Sequence, residues 1–514
     1  MKNIKYIFLL SGLLACTDLE EQVFSEASPA NFYGSIADAE AAVIPIYEAL
    51  NRPVALWDFG MLSMTFMPAP HTQTRVGWRR RWADYTTSAS DGVSLPRVWP
   101  AIYRSIFRAN TAIANLENKT FEDTDDDARR AVLVAEAKWL RAWNFFNLVR
   151  LFGDVPMPLT PATSVEEAQL PATSVADVYT QIIADLQAAE SGLPPTPRAG
   201  GDTGRPIQGT AKFLLAKVYL TMAGLPLNDA SKMSMAHAKI KEVIDGASGY
   251  GYELLADYET AIRVDNNAER IFAVQQTQAV TSQGTALSFV WGGPNWPWGN
   301  GGQYHGGCTR EFYESYEATD VRRDVSWAYT YVGRNGDTMI YGAPGIDGNG
   351  DGNASIYGGN TAGVPNETQG IAPNKYHDAD QGCCDGDPDI LIYRYADALL
   401  MYAEAENALN GPTGEAYTYL NMVRTRGGAS TFDPAAGLTK DQFQELIYNE
   451  RFLELSFEFH EVFDMRRLGK IQEAIETNFE ANKINATYKP AYELWPIPLS
   501  EIQANPNLEQ NDGW

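Results

Sequence analysis

Four aromatic rings lie in a segment whose composition breaks regular structure. Trp291, Trp296, Trp298 and Tyr304 stand among glycine, proline and asparagine residues. Glycine and proline prevent a helix here, so we expect these rings to lie on an exposed loop. Flat rings stack on the C–H faces of sugars, while nearby polar groups bind the sugar hydroxyls. The segment therefore predicts carbohydrate binding; alternatively, Trp291 or Trp298 fills a small core within the segment.

A second aromatic segment, residues 71–82, also carries a cluster of arginines. Trp78 and Trp82 are its candidate sugar platforms. Arg79 and Arg81 are candidate contacts to acidic sugars, because a guanidinium binds carboxylate or sulfate oxygens in a forked geometry. Alternatively, the arginines pair with some of the 65 acidic residues or contact a protein partner. A neutral and an anionic ligand therefore both remain open. The whole cluster is Arg75, Arg79, Arg80 and Arg81.

A third candidate site has oxygen-bearing side chains at alternate positions of a glycine-rich stretch. This spacing resembles the first half of a calcium-binding loop. The twelfth position, where an EF-hand supplies a bidentate glutamate, is Gly358. The stretch predicts either a structural calcium completed by distant carboxylates or a glycine-rich turn without metal, and we expect no other cofactor. The candidate ligands are Asp347, Asn349, Asp351 and Asn353.

The sequence contains no complete catalytic motif that we recognise. His460 and Glu461 begin the HExxH pattern of zinc proteases, but Asp464 stands where the second histidine is needed. No nucleophile elbow, Walker loop or dinucleotide-binding glycine pattern is found. We expect no enzyme activity and no catalytic residue. Because the chain has 65 acidic residues, an α-helical glycoside hydrolase or lyase that uses a carboxylate pair is the alternative.

Most of the remaining chain has the periodicity of amphipathic helices. Trp139, Trp143 and Phe146, for example, fall on one stripe and are expected in a helical core. Helices are predicted at 99–116, 128–151, 178–189, 210–222, 236–245, 390–410, 414–426, 440–457 and 463–477. Charged residues on these helices are expected to form buried or half-buried pairs. They are Arg141, Arg150, Arg394, Arg424 and Arg451 with Glu136, Glu404 and Glu450.

The helical pattern is interrupted after residue 270. Residues 271–276 alternate enough for a short strand, and residues 277–388 are rich in glycine, asparagine, proline and aromatics without a helical period. So long an irregular region in a compact domain indicates function. We predict a mostly α fold in which helix pairs, similar to tetratricopeptide repeats, form a scaffold with one large loop-rich insertion.

The N-terminus predicts export and lipid anchoring. Lys2 and Lys5 precede an apolar run, 6–15, that is too short to span a bilayer but suits a signal peptide. The run ends in Leu-Leu-Ala-Cys, which resembles a bacterial lipobox, so Cys16 would be lipidated. The alternative is an ordinary signal peptide with a cysteine just past its cleavage site. The acidic residues that follow resemble a Bacteroidetes surface-export signal, although a flexible tether would also explain them.

Net charge and cysteine content exclude further classes. Forty basic against 65 acidic residues give a formal charge of −25, so nucleic acid and anionic lipid are not expected partners. Three cysteines remain beyond Cys16. Export permits a disulfide between Cys308 and either Cys383 or Cys384, and we interpret them as structural rather than as a redox or zinc site.

Several blocks, in the same order from the lipobox to the C-terminus, resemble the SusD/RagB family of outer-membrane lipoproteins. Each block alone is weak, but together they cover nearly the whole chain. They are 136–156 (EAKWLRAWNFFNLVRLFGDVP), 211–220 (AKFLLAKVYL), 389–405 (DILIYRYADALLMYAEA), 421–426 (NMVRTR), 450–458 (ERFLELSFE), 464–469 (DMRRLG), 495–498 (WPIP) and 505–506 (NP).

This resemblance implies four tetratricopeptide-like helix pairs and a cell-surface location on the outer membrane. It also implies a partner, a SusC-like TonB-dependent barrel on which the lipoprotein sits as a hinged lid. The lid captures oligosaccharide, or peptide in some members, and the barrel imports it. The predicted parts form one compact unit: a signal peptide (1–15), a lipidated tether (16–30), a helical part (31–270), a ligand-binding insertion (271–388) and a second helical part (389–514).

Overall fold

The computed structural model describes residues 32–48, 56–74, 76–280, 283–293, 296, 302–333, 336, 338–340, 370–378, 385–477 and 487–514. Up to residue 263 the helices are α1 (Ile36–Glu48), α2 (Leu62–Thr65), α3 (Gly77–Ala83), α4 (Leu95–Leu116), α5 (Thr124–Phe152), α6 (Val165–Ala168), α7 (Val175–Gly192), α8 (Gln208–Ala223), α9 (Ser231–Asp245), α10 (Ala247–Tyr250) and α11 (Tyr258–Arg263). The later helices are α12 (Leu287–Trp291), α13 (Arg310–Ser315), α14 (Arg322–Ser326), α15 (Tyr395–Asn410), α16 (Gly414–Gly427), α17 (Lys440–Leu455), α18 (Glu461–Arg467), α19 (Ile471–Thr477) and α20 (Leu499–Ala504).

Local sequence signals determine where the long helices begin and end. Helix α5 begins after Asp123, whose carboxylate accepts hydrogen bonds from the backbone N–H groups of residues 125 and 126. Three further aspartates occupy its first turn, where the helix dipole favours negative charge. The helix ends at Gly153, which adopts a φ of 77°. The helix predicted at 128–151 therefore begins earlier, because Asp123 is its cap and residues 124–127 form its first turn.

The scaffold is a stack of helices in which each packs on its neighbours in the chain. Helix α4 packs on α5, α5 on α7, α7 on α8 and α8 on α9. Beyond the insertion, α15 packs on α9, α16 and α17, so the two helical parts are continuous. The buried stripe of α5 includes Trp139, Trp143 and Phe146, as predicted. The predictions of a mostly α fold and of a helix-pair scaffold are confirmed.

The described strands form two-stranded antiparallel sheets. They are β1 (Thr72–Gln73), β2 (Arg270–Val274), β3 (Gly307–Cys308), β4 (Trp327–Ala328), β5 (Thr330–Val332), β6 (Thr338–Ile340), β7 (Ala372–Pro373) and β8 (Ile390–Arg394). The pairs are β1 with β3, β2 with β8, β4 with β7 and β5 with β6. Strand β2 matches the strand predicted at 271–276. The prediction of helix from residue 390 is wrong, because residues 390–394 pair with β2 and α15 begins only at Tyr395.

Most of the predicted arginine pairs are buried ion pairs between elements. Arg141 binds Asp185, Arg451 binds Asp397 and Asp464, and Arg424 binds Glu450. Glu136 pairs with Arg205, and Glu404 pairs with Arg467. Arg150 is different: its guanidinium stacks on the rings of Phe146 and Phe463, at 3.8 and 3.7 Å, and donates to the Phe146 carbonyl. The helices are thus joined by charge pairs as well as by apolar contacts.

Candidate functional site

An aromatic pocket opens in the insertion, where α13, α14, β4 and β5 meet. Its volume is about 320 Å³, at the small end of the usual range for ligand pockets. The lining combines tyrosine and tryptophan rings with one carboxylate and one amide. Its residues are Trp296, Tyr313, Asp324, Trp327, Ala328, Tyr329, Thr330, Tyr331 and Asn374.

The rings of the pocket are held in pairs. Tyr313 and Tyr329 are nearly parallel, with centroids 5.1 Å apart and planes at 19°. Tyr331 meets Trp296 edge to face, with centroids 4.9 Å apart. The three tyrosines are half-buried, whereas Trp296 is almost fully covered. Rings supported on one side and open on the other can receive the apolar face of a sugar.

A charged group lies at the edge of this aromatic lining. Asp324 accepts a hydrogen bond from the Tyr313 hydroxyl (2.6 Å), and Arg323 donates to both of its carboxylate oxygens at 3.0 Å. The hydrogen bonds from Arg323 hold the pKa of Asp324 below its ordinary value. Burial, followed by the hydrogen bond to Asp324, raises the pKa of Tyr313. At neutral pH the pocket therefore presents a carboxylate acceptor that a phenol donor fixes in place.

The position of the pocket depends on Arg322, which precedes Arg323 on α14. Arg322 is fully buried and binds both oxygens of Asp320, at 2.9 and 2.7 Å. Its Nη1 also donates to Glu450 (2.5 Å) and Glu454 (3.0 Å) on α17. Because Arg322 and Arg323 are adjacent on α14, the same short helix is bound to the scaffold on one side and holds Asp324 at the pocket on the other.

The buried charges continue beneath the pocket. Arg394 binds Glu269 (2.6 Å), Glu454 (2.8 Å) and Glu458 (2.8 Å), and all four side chains are fully buried. Lys375, which follows the pocket residue Asn374, donates to Glu458 at 2.6 Å. Charge-assisted hydrogen bonds, which are stronger than neutral ones, therefore join the segment that carries Asn374 to β8 and α17. We call this network of Arg322, Lys375, Arg394 and their acidic partners the floor of the pocket.

Two larger concave regions are less suited to a sugar. One, of about 670 Å³, lies between residues 153–175 and 490–512, and no aromatic ring lines it. The other, of about 480 Å³, is lined by Tyr250, Tyr252 and Phe272, of which only Tyr250 is more than marginally exposed. Size alone does not decide a carbohydrate site, because stacking on rings supplies the apolar contact. The aromatic pocket is therefore the candidate site.

The two predicted aromatic segments meet, but they meet in a packed core. The Arg79 guanidinium lies between the rings of Trp78 and Trp291, 4.3 and 4.1 Å from their centroids. Arg79 also donates to the His305 ring (3.0 Å) and to the Ser63 hydroxyl (2.9 Å). Arg79 and Trp291 are almost fully buried, whereas Trp78 is half-buried. The predicted exposure of Trp291 is wrong. Trp291 fills a core, but this core includes Phe66 and Phe457 from other parts of the chain and is not a small core within the segment.

Predicted exposure is also wrong for Trp82, Trp296 and Tyr304, and Trp296 is only 2% exposed. Trp82 lies within α3 and packs against Trp495, with ring centroids 4.9 Å apart. Tyr304 is buried and donates to the Gly370 carbonyl. Arg81 is exposed, and the neighbouring Arg80 pairs with Asp84 at 3.2 Å. Of the predicted platforms that the structure describes, Trp296 alone lines the aromatic pocket.

Comparison with known proteins gives a consistent family. One family model, the SusD family, matches residues 268–514. A second, described as starch-binding associating with outer membrane, matches residues 63–220. Together they cover most of the chain and include every block that resembles the family; residues 221–267 lie between the two matches. The chain belongs to the SusD/RagB family.

Relatives of this family match along nearly their whole length. A SusD-like protein of Formosa agariphila, P2, is 28% identical over 99% of both chains. A SusD homologue of Bacteroides thetaiotaomicron has the same fold, with a TM-score of 0.77 at 23% identity, over 95% of this chain and 98% of that one. Surface glycan-binding protein A of the same organism, solved with laminarihexaose, has a TM-score of 0.70 at 20% identity, over 92% and 99%.

Sequence reasoning missed most of the pocket of this SusD-family chain. Tyr313, Asp324, Tyr329 and Tyr331 were not among the predicted ligand contacts. One signal was present: Trp327, Tyr329 and Tyr331 alternate, as residues on one face of an extended segment do. Tyr313 and Asp324 offered no such signal, because their contact depends on how α13 and α14 pack together.

Some predictions concern residues outside the described part of the chain. These are Cys16, Trp298, Arg75 and the calcium ligands Asp347, Asn349, Asp351 and Asn353. Cys308 is buried in β3, but Cys383 and Cys384 also lie outside the described residues, so the disulfide stays a prediction. Among the residues that are described, no group of three or more histidine, cysteine or acidic side chains could hold a metal. Within the same residues, no helix is both long and apolar enough to cross a membrane.

Proposed function

We propose that this chain captures oligosaccharides in the aromatic pocket and delivers them to a SusC-like TonB-dependent transporter. The observation that carries the proposal is the group of half-buried rings, Tyr313, Tyr329 and Tyr331, beside the ionised Asp324. The rings would stack on sugar faces, and the carboxylate would accept hydrogen bonds from sugar hydroxyls. A family neighbour solved with laminarihexaose supports a glycan as the ligand class.

The expected affinity is moderate. Covering roughly 60 Å² of apolar sugar face at ~25 cal/mol per Å² contributes about 1.5 kcal/mol for each ring platform. Two platforms with hydrogen bonds, less the cost of ordering the ligand, correspond to Kd values in the micromolar to millimolar range. Such binding allows the captured ligand to leave again, as transfer to a transporter requires.

The location that we propose is the cell surface, through a lipid on Cys16. The apolar run before Cys16 and the acidic residues after it support this location. Replacing Cys16 with Ser should abolish labelling by radioactive palmitate and release the protein from the outer membrane. Retained labelling would contradict a lipid anchor at this residue. Co-purification with a TonB-dependent barrel from membrane extracts would test the partner.

Catalysis and peptide binding are the alternatives. Hydrolysis of a glycosidic bond needs two carboxyl groups across the bond. Among the described residues that line the pocket, Asp324 is the only carboxylate. We therefore expect no shortened products when oligosaccharides are incubated with the purified protein. A peptide-binding member would instead bind a peptide mixture and no polysaccharide.

The binding test compares variants of one ring. Retarded migration in native gels that contain polysaccharide should reveal binding, and calorimetry should give the Kd. Tyr329→Ala should weaken binding about tenfold or more, because it removes a platform. Tyr329→Phe keeps the ring and should stay within about twofold. Tyr488→Ala removes a half-buried tyrosine outside the pocket and is the matched control. Unchanged binding by Tyr329→Ala would place the ligand elsewhere.

A further inference from the structure

The stretch of sequence that precedes most of the pocket residues is uncharged. Residues 271–309 contain no Asp, Glu, Lys or Arg, although charged residues make up 20% of the whole chain. This segment includes Trp296 of the pocket. A segment that must contact an anionic polymer would be expected to carry cations, because arginine and lysine supply most of the attraction to carboxylate and sulfate groups.

The cations that the structure describes between residues 310 and 375 are already paired. Two of them are buried beneath the pocket, and two are bound to carboxylates at the surface. None belongs to the described lining of the pocket. The pairs are Arg310 with Glu314, Arg322 with Asp320, Glu450 and Glu454, Arg323 with Asp324, and Lys375 with Glu458.

The arginine cluster at 79–81 does not supply the missing cation. Arg79 is buried between Trp78 and Trp291, and Arg80 pairs with Asp84. Arg81 is exposed on α3, which contributes no residue to the described lining of the pocket. The motif that suggested an acidic ligand is therefore separate from the aromatic pocket.

Asp324 is the ionised group that the described lining does present. Each carboxylate oxygen accepts about two hydrogen bonds, and Arg323 and Tyr313 occupy only part of this capacity. Oδ1 already accepts from Tyr313 and Arg323, and Oδ2 accepts from Arg323 alone, so Oδ2 can accept one further hydrogen bond from a sugar hydroxyl. A carboxylate or a sulfate ester has no hydrogen to donate to this acceptor, and the neighbouring cation, Arg323, is already bound to both oxygens of Asp324.

We infer that the pocket selects neutral glycans, whose hydroxyl groups donate to Asp324, and that Asp324 excludes uronate- and sulfate-bearing chains. This inference rests on the proposed glycan-binding function and names the class of its ligand. Asp324 is then a specificity-determining residue.

The test uses the purified mature chain and paired polymers. Laminarin, starch, xyloglucan, galactomannan and arabinoxylan are the neutral probes, and the carboxymethylated form of each is its charged partner. Alginate, polygalacturonate and carrageenan are added as natural anionic polymers. We expect at least one neutral polymer to bind, with a Kd that changes less than about twofold between 20 and 500 mM NaCl, because no ion pair forms. Its carboxymethylated form should bind about tenfold more weakly or not at all.

A pair of variants connects the selectivity to Asp324. Asp324→Asn should weaken binding of the neutral polymer about tenfold, because it replaces a charged hydrogen-bond acceptor with a weaker, neutral one. It should also reduce the preference for neutral over carboxymethylated polymer. Glu314→Gln removes an exposed charge from the neighbouring α13 without touching the pocket lining and should leave both affinities unchanged.

The outcomes distinguish failure of the neutral-glycan inference from failure of the proposed glycan-binding function. An anionic polymer that binds more tightly than every neutral one, with an affinity that NaCl weakens, would overturn the neutral-glycan inference and leave the glycan-binding function intact. An unchanged preference in Asp324→Asn would remove Asp324 from the selection. Failure of every polymer, neutral and anionic, to bind would overturn the proposed function and this inference together.

Discussion

The floor and the lining of the aromatic pocket have opposite chemistry. Beneath the pocket, Arg322 and Arg394 are fully buried among four glutamates and an aspartate. In the lining, uncharged rings predominate, and the single described carboxylate is partly exposed. Both regions meet on α14, where Arg322 faces the floor and Asp324 faces the pocket. Charge thus fixes geometry in one region and, in the proposed function, contributes to ligand recognition in the other.

This contrast shows how a weak binding site can be kept rigid. A sugar platform contributes little free energy, so its rings must be held in place before the ligand arrives. Buried ion pairs are costly to dehydrate and give little net stability, but they fix geometry because every partner must be satisfied. The floor therefore positions the pocket while adding little to the free energy of binding.

The largest expected effect comes from breaking the floor. Arg394→Ala would leave Glu269, Glu454 and Glu458 buried with too few partners. We expect the free energy of unfolding to fall by about 4–5 kcal/mol, because unpaired buried charges are strongly destabilising. Chemical denaturation followed by tryptophan fluorescence would measure it. Arg310→Ala, which breaks the exposed pair with Glu314, should cost less than about 1 kcal/mol. Equal effects of the two variants would contradict the assigned role of the floor.

The next prediction tests whether Trp291 belongs to the protein core or to the ligand site. Trp291 is buried against Arg79 and Phe457 and does not line the pocket. Trp291→Ala should therefore lower the free energy of unfolding by about 3–4 kcal/mol, as loss of a core ring does. The Kd for the glycan should remain within about threefold of the parent value under conditions in which the variant is folded. A stable variant that fails to bind glycan would instead return Trp291 to the ligand site.

A pH effect tests how the fold tolerates a buried carboxyl outside the ion-paired floor. Glu461 is buried, accepts from the Phe457 backbone N–H at 2.6 Å, and has no cation within hydrogen-bonding distance among the described residues. Burial raises the pKa of Glu461 to about 8, above its ordinary 4.5. The folded state therefore holds a proton that the unfolded state has lost between these values. The contribution of Glu461 to stability is present below pH 4.5 and is lost as pH rises towards 8.

Glu461→Gln keeps the acceptor oxygen and cannot ionise. It should match the parent protein near pH 4.5 and exceed its free energy of unfolding at pH 8 by about 1–3 kcal/mol. Denaturation at a series of pH values would measure the difference, and Glu311→Gln, at an exposed position, is the control. A pH-independent difference between Glu461→Gln and the parent would show that this carboxyl does not titrate in the folded state.

The scaffold was largely predictable because its signals are local. A stripe such as Trp139, Trp143 and Phe146 follows from helical spacing alone, and Gly153 ends the helix through its own backbone preference. Strand β8 was mistaken for helix because its partner, β2, lies far away in the sequence. Arg150 was expected in an ion pair, but its stacking on Phe463 depends on how α18 packs against α5.

The pocket was mostly not predictable because its contacts are long-range. Glycine and proline indicated a loop that includes Trp291, but Trp291 is the last residue of α12 and is buried. Pairing of β1 with β3 brings residues 71–82 over this segment, and Arg79 then covers the Trp291 ring. Composition shows which rings exist, while tertiary packing decides which of them remain open.

The smallest expected effect separates the arginine cluster from both regions. Arg81 is exposed, and α3 contributes nothing to the described lining of the pocket. Arg81→Ala should change the free energy of unfolding by less than about 0.5 kcal/mol and the Kd for a neutral polymer by less than about twofold. Arg79→Ala, in contrast, empties the space between Trp78 and Trp291 and should destabilise the fold. If Arg81→Ala weakened binding to carboxymethylated polymers selectively, the ligand would extend to α3, and recognition would not be confined to the uncharged lining.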